Sequence, residues 1–441
     1  MRSDIKKLIT LDNIIYWAVC LYVLDVILLG TGELTRVAGV SSRIVFFAIA
    51  VVASIPAIIK NYEVYLQNKS VWFVVAFMFM VGISMVMGLV NGNYMPILTA
   101  DVKGFLNILI VFPMIYILSE REKVINLLKL MLNSSFAMAI ATIVLSYYQY
   151  FGKPFKYELY DVVHDLGWAS FTPLTETVTR VFLHSGSRML VLGLLLAFAF
   201  LLIEKKKTLL RYCQMVFCLV ATFISYARAM YLGLVIIVIA MLALVAFKYK
   251  EYLVETLKKY AIVLVASAAV ILVLGLSQSG NLFQVAINRC LVAVGDGYID
   301  PDFPVDGLDN LQDEIDSLLI REYRRNAAIG NFLDSPILGK GLGVVNDMFN
   351  LTIEYFYLDI LSKMGIVGVV LLLLPAVFAL ISIVKNKEKF SEAQRLLSMV
   401  CWFALLYLMI ISYFNPCMNT SWGLAIYGLT IALSIPWKER T

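Results

Sequence analysis

The chain has 441 residues, of which 61% are hydrophobic and only 15% charged. Ordinary soluble domains are nearer half apolar and a quarter charged, so a soluble globular protein is excluded. The net charge of +5 comes from basic residues clustered in linkers between apolar runs, a membrane pattern and not a nucleic-acid signal.

Twelve runs of roughly 17–25 residues are each long enough to cross about 30 Å of hydrocarbon. They fall at 14–30, 43–60, 71–90, 103–118, 126–150, 187–203, 208–226, 229–247, 260–276, 355–383, 397–414 and 420–436. The fold class is therefore an all-α polytopic membrane protein. Arg2, Lys6 and Lys7 precede the first run and no small-residue cleavage site follows it, so that run is expected to stay as an anchor.

The linkers alternate in character. One set holds Lys60/Lys69, Arg121/Lys123, Lys205/Lys206/Lys207/Arg211, Lys248/Lys250/Lys258/Lys259 and Lys385/Lys387/Lys389/Arg395, and both termini belong to it. The positive-inside rule places this set and both termini in the cytoplasm. Residues 1–276 then form a first transmembrane bundle with an external loop at 151–186. Residues 277–354 form a large external loop, and 355–441 the last three spans.

The long loop is the main polar segment. Its first half is acidic, from Asp296 to Asp316, and the basic cluster Arg321, Arg324 and Arg325 follows. Leu311, Ile315, Leu318, Leu319 and Tyr323 recur at helical spacing, which predicts an amphipathic helix over roughly 308–333 on the membrane surface or capping the bundle. Pro336-Ile337-Leu338-Gly339-Lys340-Gly341-Leu342-Gly343 is too rich in turn residues for regular helix. It lacks the Gly-Lys-Ser/Thr ending and the preceding strand of a nucleotide loop. Its glycines fit a tight turn and a close backbone approach.

Several charged residues stand at span boundaries. Arg228, between two long apolar runs, either snorkels to headgroups or meets an anion in a cavity. Arg321 shares a helix face with Arg324 or Arg325; these either pair with nearby acids or present planar forks suited to phosphate oxygens. Glu354 precedes Tyr355-Phe356-Tyr357-Leu358 at a helix N-terminus, where it either serves the helix dipole or acts as a general base. Asp359 and Lys363 have i,i+4 spacing and are expected to pair within the membrane. Asp25 is the main intramembrane acid, and no chain of acids and histidines suggests a proton relay. His164 and His184 are the only histidines and imply no metal site. Cys20, Cys213, Cys218 and Cys401 read as small buried hydrophobes; Cys290 and Cys417 share the external side, which leaves a disulfide open.

Over 225–368 the sequence resembles the O-antigen ligase and Wzy-type O-antigen polymerase superfamily of bacterial inner membranes. Ala227-Arg228 stands where that family has a Ser-Arg type motif between two spans. Arg321 precedes the Pro336–Gly343 turn as the family's loop arginine precedes its Pro-x-x-Gly-x-Gly-x-Gly-like turn, though Arg325 replaces an aromatic. The family's His-Asn-x-Tyr-Leu entry to a span reads here Glu354-Tyr355-Phe356-Tyr357-Leu358, followed by Gly365-Ile366-Val367-Gly368. Arg180-Val181-Phe182 is similar to the family's first arginine loop.

The resemblance implies a GT-C-like fold and metal-independent, cofactor-free glycosyl transfer on the periplasmic face. The donor would be a glycan on undecaprenyl diphosphate. Arg228, Arg321, Arg324, Arg325 and Arg180 would hold the diphosphate, with Tyr355, Lys340 and His184 as secondary contacts and Glu354 as base. A second lipid-linked unit as acceptor makes the enzyme a polymerase, with a chain-length regulator as a further partner. Lipid A or a protein as acceptor makes it a ligase. Glu354 in place of histidine favours the polymerase. A lipid-linked oligosaccharide flippase is the other class, and it predicts inverted repeats or broken helices with charges near the midplane, neither of which the sequence displays.

Overall fold

The computed structural model describes residues 10–30, 35–37, 40–148, 156–173, 179–184, 186–204, 208–248, 253–277, 322–345 and 355–437. Among these, nine helices are long and apolar enough to cross a membrane. Three shorter apolar helices, Thr208–Ile224, Arg228–Ala243 and Ser421–Leu433, coincide with the remaining apolar runs. Large apolar side chains face outward along these helices, such as Phe79 at 73% and Val265 at 71% exposure. Such surfaces belong in lipid, and the protein is an all-α, multi-pass membrane protein.

The described residues fall into two compact units. The first draws on Met1–Val19, Phe46–Ile125 and Asp309–Thr441, the second on Cys20–Val45 and Asn126–Leu308.

At the centre of the first unit the Ser421–Leu433 helix is buried along its whole length, as expected of a helix apolar on every side. Its few polar groups are matched locally. Tyr427 donates to Leu372 O at 2.7 Å, and Thr430 donates to Cys401 O at 3.1 Å. Beside it the Lys69–Val90 helix packs antiparallel to Phe356–Lys385. Asn68 caps the start of the first of these by accepting from Ser70 N. Phe73 stacks on Phe378 with ring centroids 5.0 Å apart, and at the other end Ser84 Oγ donates to Lys363 O at 2.8 Å.

The second unit is built around Gly186–Ile203, buried along most of its length. Gly193 sits at a close approach to the Arg121–Tyr148 helix: a Cβ there would lie 2.6 Å from Ser135 Cβ. The buried Asp25 has its partner in Arg43, whose Nε lies 3.0 Å from its carboxylate. Thr35 and Ser42 add hydroxyls, brought in by a short hairpin that pairs Arg36–Val37 with Val40–Ser41.

Three expectations change. The fourth span was drawn from 103, but helix begins at Met95. Asp101, within this stretch, is buried and paired with Lys363. The segment 151–186, expected as an external loop, carries a helix, Lys156–Asp165, and a hairpin of Ala169–Pro173 with Thr179–Leu183. The Phe356–Lys385 helix is broken at Gly365, where φ is +63°. Residues 322–334 are helical, within the predicted amphipathic stretch; residues 308–321 and Cys290 lie outside the described residues. Of the other cysteines, Cys20, Cys218, Cys401 and Cys417 are buried and Cys213 is half-buried.

At one end of the second unit, Glu204 joins Lys129 at 2.7 Å and Arg211 at 2.7 Å. Arg211 is buried, and it also donates to Gln214 at 2.7 Å. Burial acts to raise the Glu204 pKa, but hydrogen bonds from Lys129 and Arg211 outweigh it and hold the carboxyl below its ordinary value. A carboxylate of depressed pKa stabilises above the unfolded value and loses that contribution as pH falls through the folded one. The melting temperature in detergent should therefore fall below about pH 4.3, the unfolded value. Glu204→Gln should cost on the order of 1 kcal/mol at neutral pH, because solvent screens the part-exposed pair with Lys129, and should flatten that acid limb.

Candidate functional site

The broken helix of the first unit is closed by the glycine turn. A helix break frees carbonyls before it and N–H groups after it. Here Ser362 O and Lys363 O accept from Lys340 N at 2.8 Å and Gly341 N at 3.0 Å. Beyond the break, Ile366 N donates to Pro336 O at 2.9 Å and Val367 N to Ile337 O at 3.3 Å. The turn also reaches the neighbouring span, where Leu342 N donates to Ser84 O at 2.9 Å. Gly343 N donates to the Asp101 carboxylate at 3.0 Å. Four successive N–H groups, from 340 to 343, are thus directed at the protein's own acceptors. In a nucleotide loop such groups would face phosphate; here they are committed.

The glycines are required sterically. Gly341 has φ +92°, and a Cβ on it would lie 2.3 Å from Gly88 N. On Gly365 a Cβ would lie 2.2 Å from Ile337 O.

Under the turn sits a buried ion triad. Lys363 Nζ lies 2.8 Å from Asp101 Oδ1 and 2.8 Å from Asp359. The i,i+4 pair with Asp359 was expected from spacing; Asp101, distant in sequence, was not. Lys363 also stands at the C-terminal end of the first half-helix, where the dipole favours a cation.

Around the turn, Lys340 Nζ is held by Asp334 at 2.7 Å and Asn331 at 2.9 Å. Arg325 is exposed and pairs with Glu322 at 3.1 Å, while Arg324 is buried on the other side of the same helix. The two arginines therefore do not share a face. Tyr355 opens the Phe356–Lys385 helix, its ring edge-on to Tyr413 at 6.1 Å. Glu354 and Arg321 lie outside the described residues.

The second unit gathers a different set. Ser225-Tyr226-Ala227 joins the Thr208–Ile224 and Arg228–Lys248 helices in a turn so tight that the buried Tyr226 adopts φ +49°. Non-glycine residues rarely occupy that region. The turn makes Arg228 the first residue of its helix. Arg180 Nε donates to Ser225 O at 3.1 Å, so the loop arginine touches the turn that carries Arg228. The Arg180 guanidinium also lies 4.9 Å from the Phe182 ring centroid, and Arg188 lies 5.3 Å from the same ring. His184 follows just after that strand, its N–H on Trp168 O at 3.1 Å. Burial, then the charge of Arg188, then that of His164 hold its pKa below the ordinary histidine value. It is neutral near pH 7 in a cationic field.

Sequence reasoning named Arg180, His184 and Arg228 but missed Arg188. A signal existed: Arg180 and Phe182 alternate along a strand and so share one face, and Arg188 lies in the first turn of the next helix.

Residues 213–373 match the family model described as O-Antigen ligase. The matched segment contains the Arg228 turn, the helix with Arg324 and Arg325, the glycine turn and the Gly365 break; Arg180 and Arg188 precede it. No curated protein matches the chain.

Lys363→Met should leave Asp101 and Asp359 as buried carboxylates facing each other and cost about 3–5 kcal/mol. The protein should then melt well below wild type by fluorescence-detected gel filtration. Adding Asp101→Asn and Asp359→Asn to that variant should recover much of the loss.

Proposed function

We propose that this chain, which belongs to the O-antigen polymerase and ligase superfamily through its segment 213–373, is a glycosyltransferase that polymerises lipid-linked oligosaccharide units. The observation that carries the reading is the gathering of Arg180 and Arg188 on the Phe182 ring, with Arg180 bonded to the turn that starts Arg228. Planar guanidiniums suit a diphosphate because they bind its oxygens in pairs.

The donor is a glycan on undecaprenyl diphosphate. Glu354 takes the proton from an acceptor hydroxyl, whose oxygen attacks the anomeric carbon. The bond from that carbon to the diphosphate oxygen breaks, and undecaprenyl diphosphate leaves with the electron pair. Arginines hold the charge that builds on the leaving group. The lipid diphosphate is itself the activated leaving group, so no nucleotide is needed. The site lies on the periplasmic face. In support, His184 and Arg188 are at the start of the Gly186–Ile203 helix while Lys205, Lys206 and Lys207 follow its end, and lysine-rich ends favour the cytoplasm. Glu354 in place of the ligase histidine favours a polymerase, whose acceptor is a second lipid-linked unit.

A second reading rests on the Gly365 break. Broken helices with buried charges are a feature of transporters, and the sequence reading did not anticipate one here. Its exposed backbone groups are, however, bonded to the glycine turn, which leaves them uncommitted to any cargo.

Purified protein in detergent, given undecaprenyl-diphosphate oligosaccharides, should produce a ladder of lengthening glycans on a gel. Arg228→Ala should cut turnover at least a hundredfold and Arg228→Lys should restore only part, because a point charge cannot make the fork contact. Glu354→Gln should bind substrate but give no ladder. Transfer only when lipid A or an acceptor protein is added would make the enzyme a ligase. Substrate crossing a liposome bilayer without product would establish the transporter.

A further inference from the structure

The stretch 322–343 shows a gradient along its exposed side. It begins polar, with Glu322 and Arg325 paired at the surface. It becomes apolar toward the turn, where Ile329, Leu333, Ile337 and Leu338 are exposed, Leu333 at 68% and Ile337 at 63%. Asp334 interrupts this face, but Lys340 neutralises it at 2.7 Å.

The depth of the turn follows from its backbone bonds. Leu342 N is bonded to Ser84 O, and the Lys69–Val90 helix runs on to Val90. At 1.5 Å per residue that bond sits about 9 Å in from the helix end, while Asn91 and Asn93, just past that end, donate to the carbonyls of Lys340, Gly341 and Leu342, so the turn runs from the helix end inward. On the other span, Ile337 O accepts from Val367 N, just past the Gly365 break and well inside the Phe356–Lys385 helix. Ile366, adjacent to that bond, is 52% exposed and Val370, one turn on, is 45% exposed. Val377, Ile381 and Val384 continue that outward apolar stripe down the span. Ile337 extends it.

We propose that residues 329–343 form a re-entrant segment of the membrane domain, not part of an aqueous loop, and that acyl chains of the bilayer cover Ile329, Leu333, Ile337 and Leu338. The occupant follows from continuity with the lipid-facing stripe of the Phe356–Lys385 helix and from the turn's position inside two spans. Irregular backbone is tolerated at such depth only where protein satisfies it, and the N–H groups of 340–343 are all so satisfied. The polar start of the helix marks where the chain leaves the headgroups. This inference is independent of the reaction proposed above.

Spin labels test it without any activity assay. A nitroxide on Ile337→Cys and another on Leu333→Cys, in proteoliposomes, would be probed with oxygen, which concentrates in acyl chains, and with a water-soluble nickel chelate. The unsubstituted protein, labelled identically, supplies the background from native cysteines. Both positions should collide with oxygen several-fold more often than with the chelate, as Val370→Cys does, while Glu322→Cys shows the reverse. Chelate access at Ile337→Cys equal to that at Glu322→Cys would overturn the proposal in favour of an aqueous loop. Exclusion of both reagents would overturn it in favour of a protein cover, such as a second copy of the chain.

Discussion

A spanning helix that breaks inside a bilayer must find partners for the backbone groups it releases, because hydrocarbon supplies none. Much of the first unit follows from how the break at Gly365 is answered. Carbonyls before it and N–H groups after it are bonded to a single short segment, 336–341. That segment can lie so close only because Gly341, Gly365 and Gly88 lack side chains where backbones meet. The arrangement is mutual: the turn has no regular structure of its own and takes its shape from the two helices it joins.

Charge follows the same logic. The first half-helix ends with partial negative charge at Ser362 and Lys363, and two carboxylates lie nearby. One ammonium, on Lys363, and one backbone N–H, of Gly343, face those carboxylates. A compact ammonium with three donors can reach both acids, whereas a planar guanidinium would need more room. Removing water from such a cluster is expensive, so its value lies in joining residue 101, distant in the chain, to residues 343, 359 and 363.

The spans were legible because twenty apolar residues in a row have few other uses, and the Asp359–Lys363 pair because helical spacing is local. The glycine turn was legible as a turn, and its refusal as a nucleotide loop is explained by where its N–H groups point. Asp101 was not singled out, since nothing local distinguishes a buried ion partner from a solvated acid. The Gly365 break was hidden in a sequence that otherwise reads as continuous helix. Arg188 was passed over because a basic residue one turn into a span looks like a boundary charge, and only the hairpin brings Phe182 beside it. What was missed in each case depends on a contact remote in sequence.

The arginine turn of the second unit is built on a different constraint. Two guanidiniums on one aromatic ring repel each other, and the ring's negative face offsets only part of that. The neighbouring His184 is driven toward its neutral form first by burial and then by the charge of Arg188. Tyr226, held at a left-handed backbone angle, adds local strain at the residue that aims Arg228. In the function proposed above, an anion of high charge density set among these guanidiniums would be attracted by each of them, because their planar forks bind its oxygens in pairs. The lipid-linked diphosphate of that proposal has the charge and the oxygen geometry to do so.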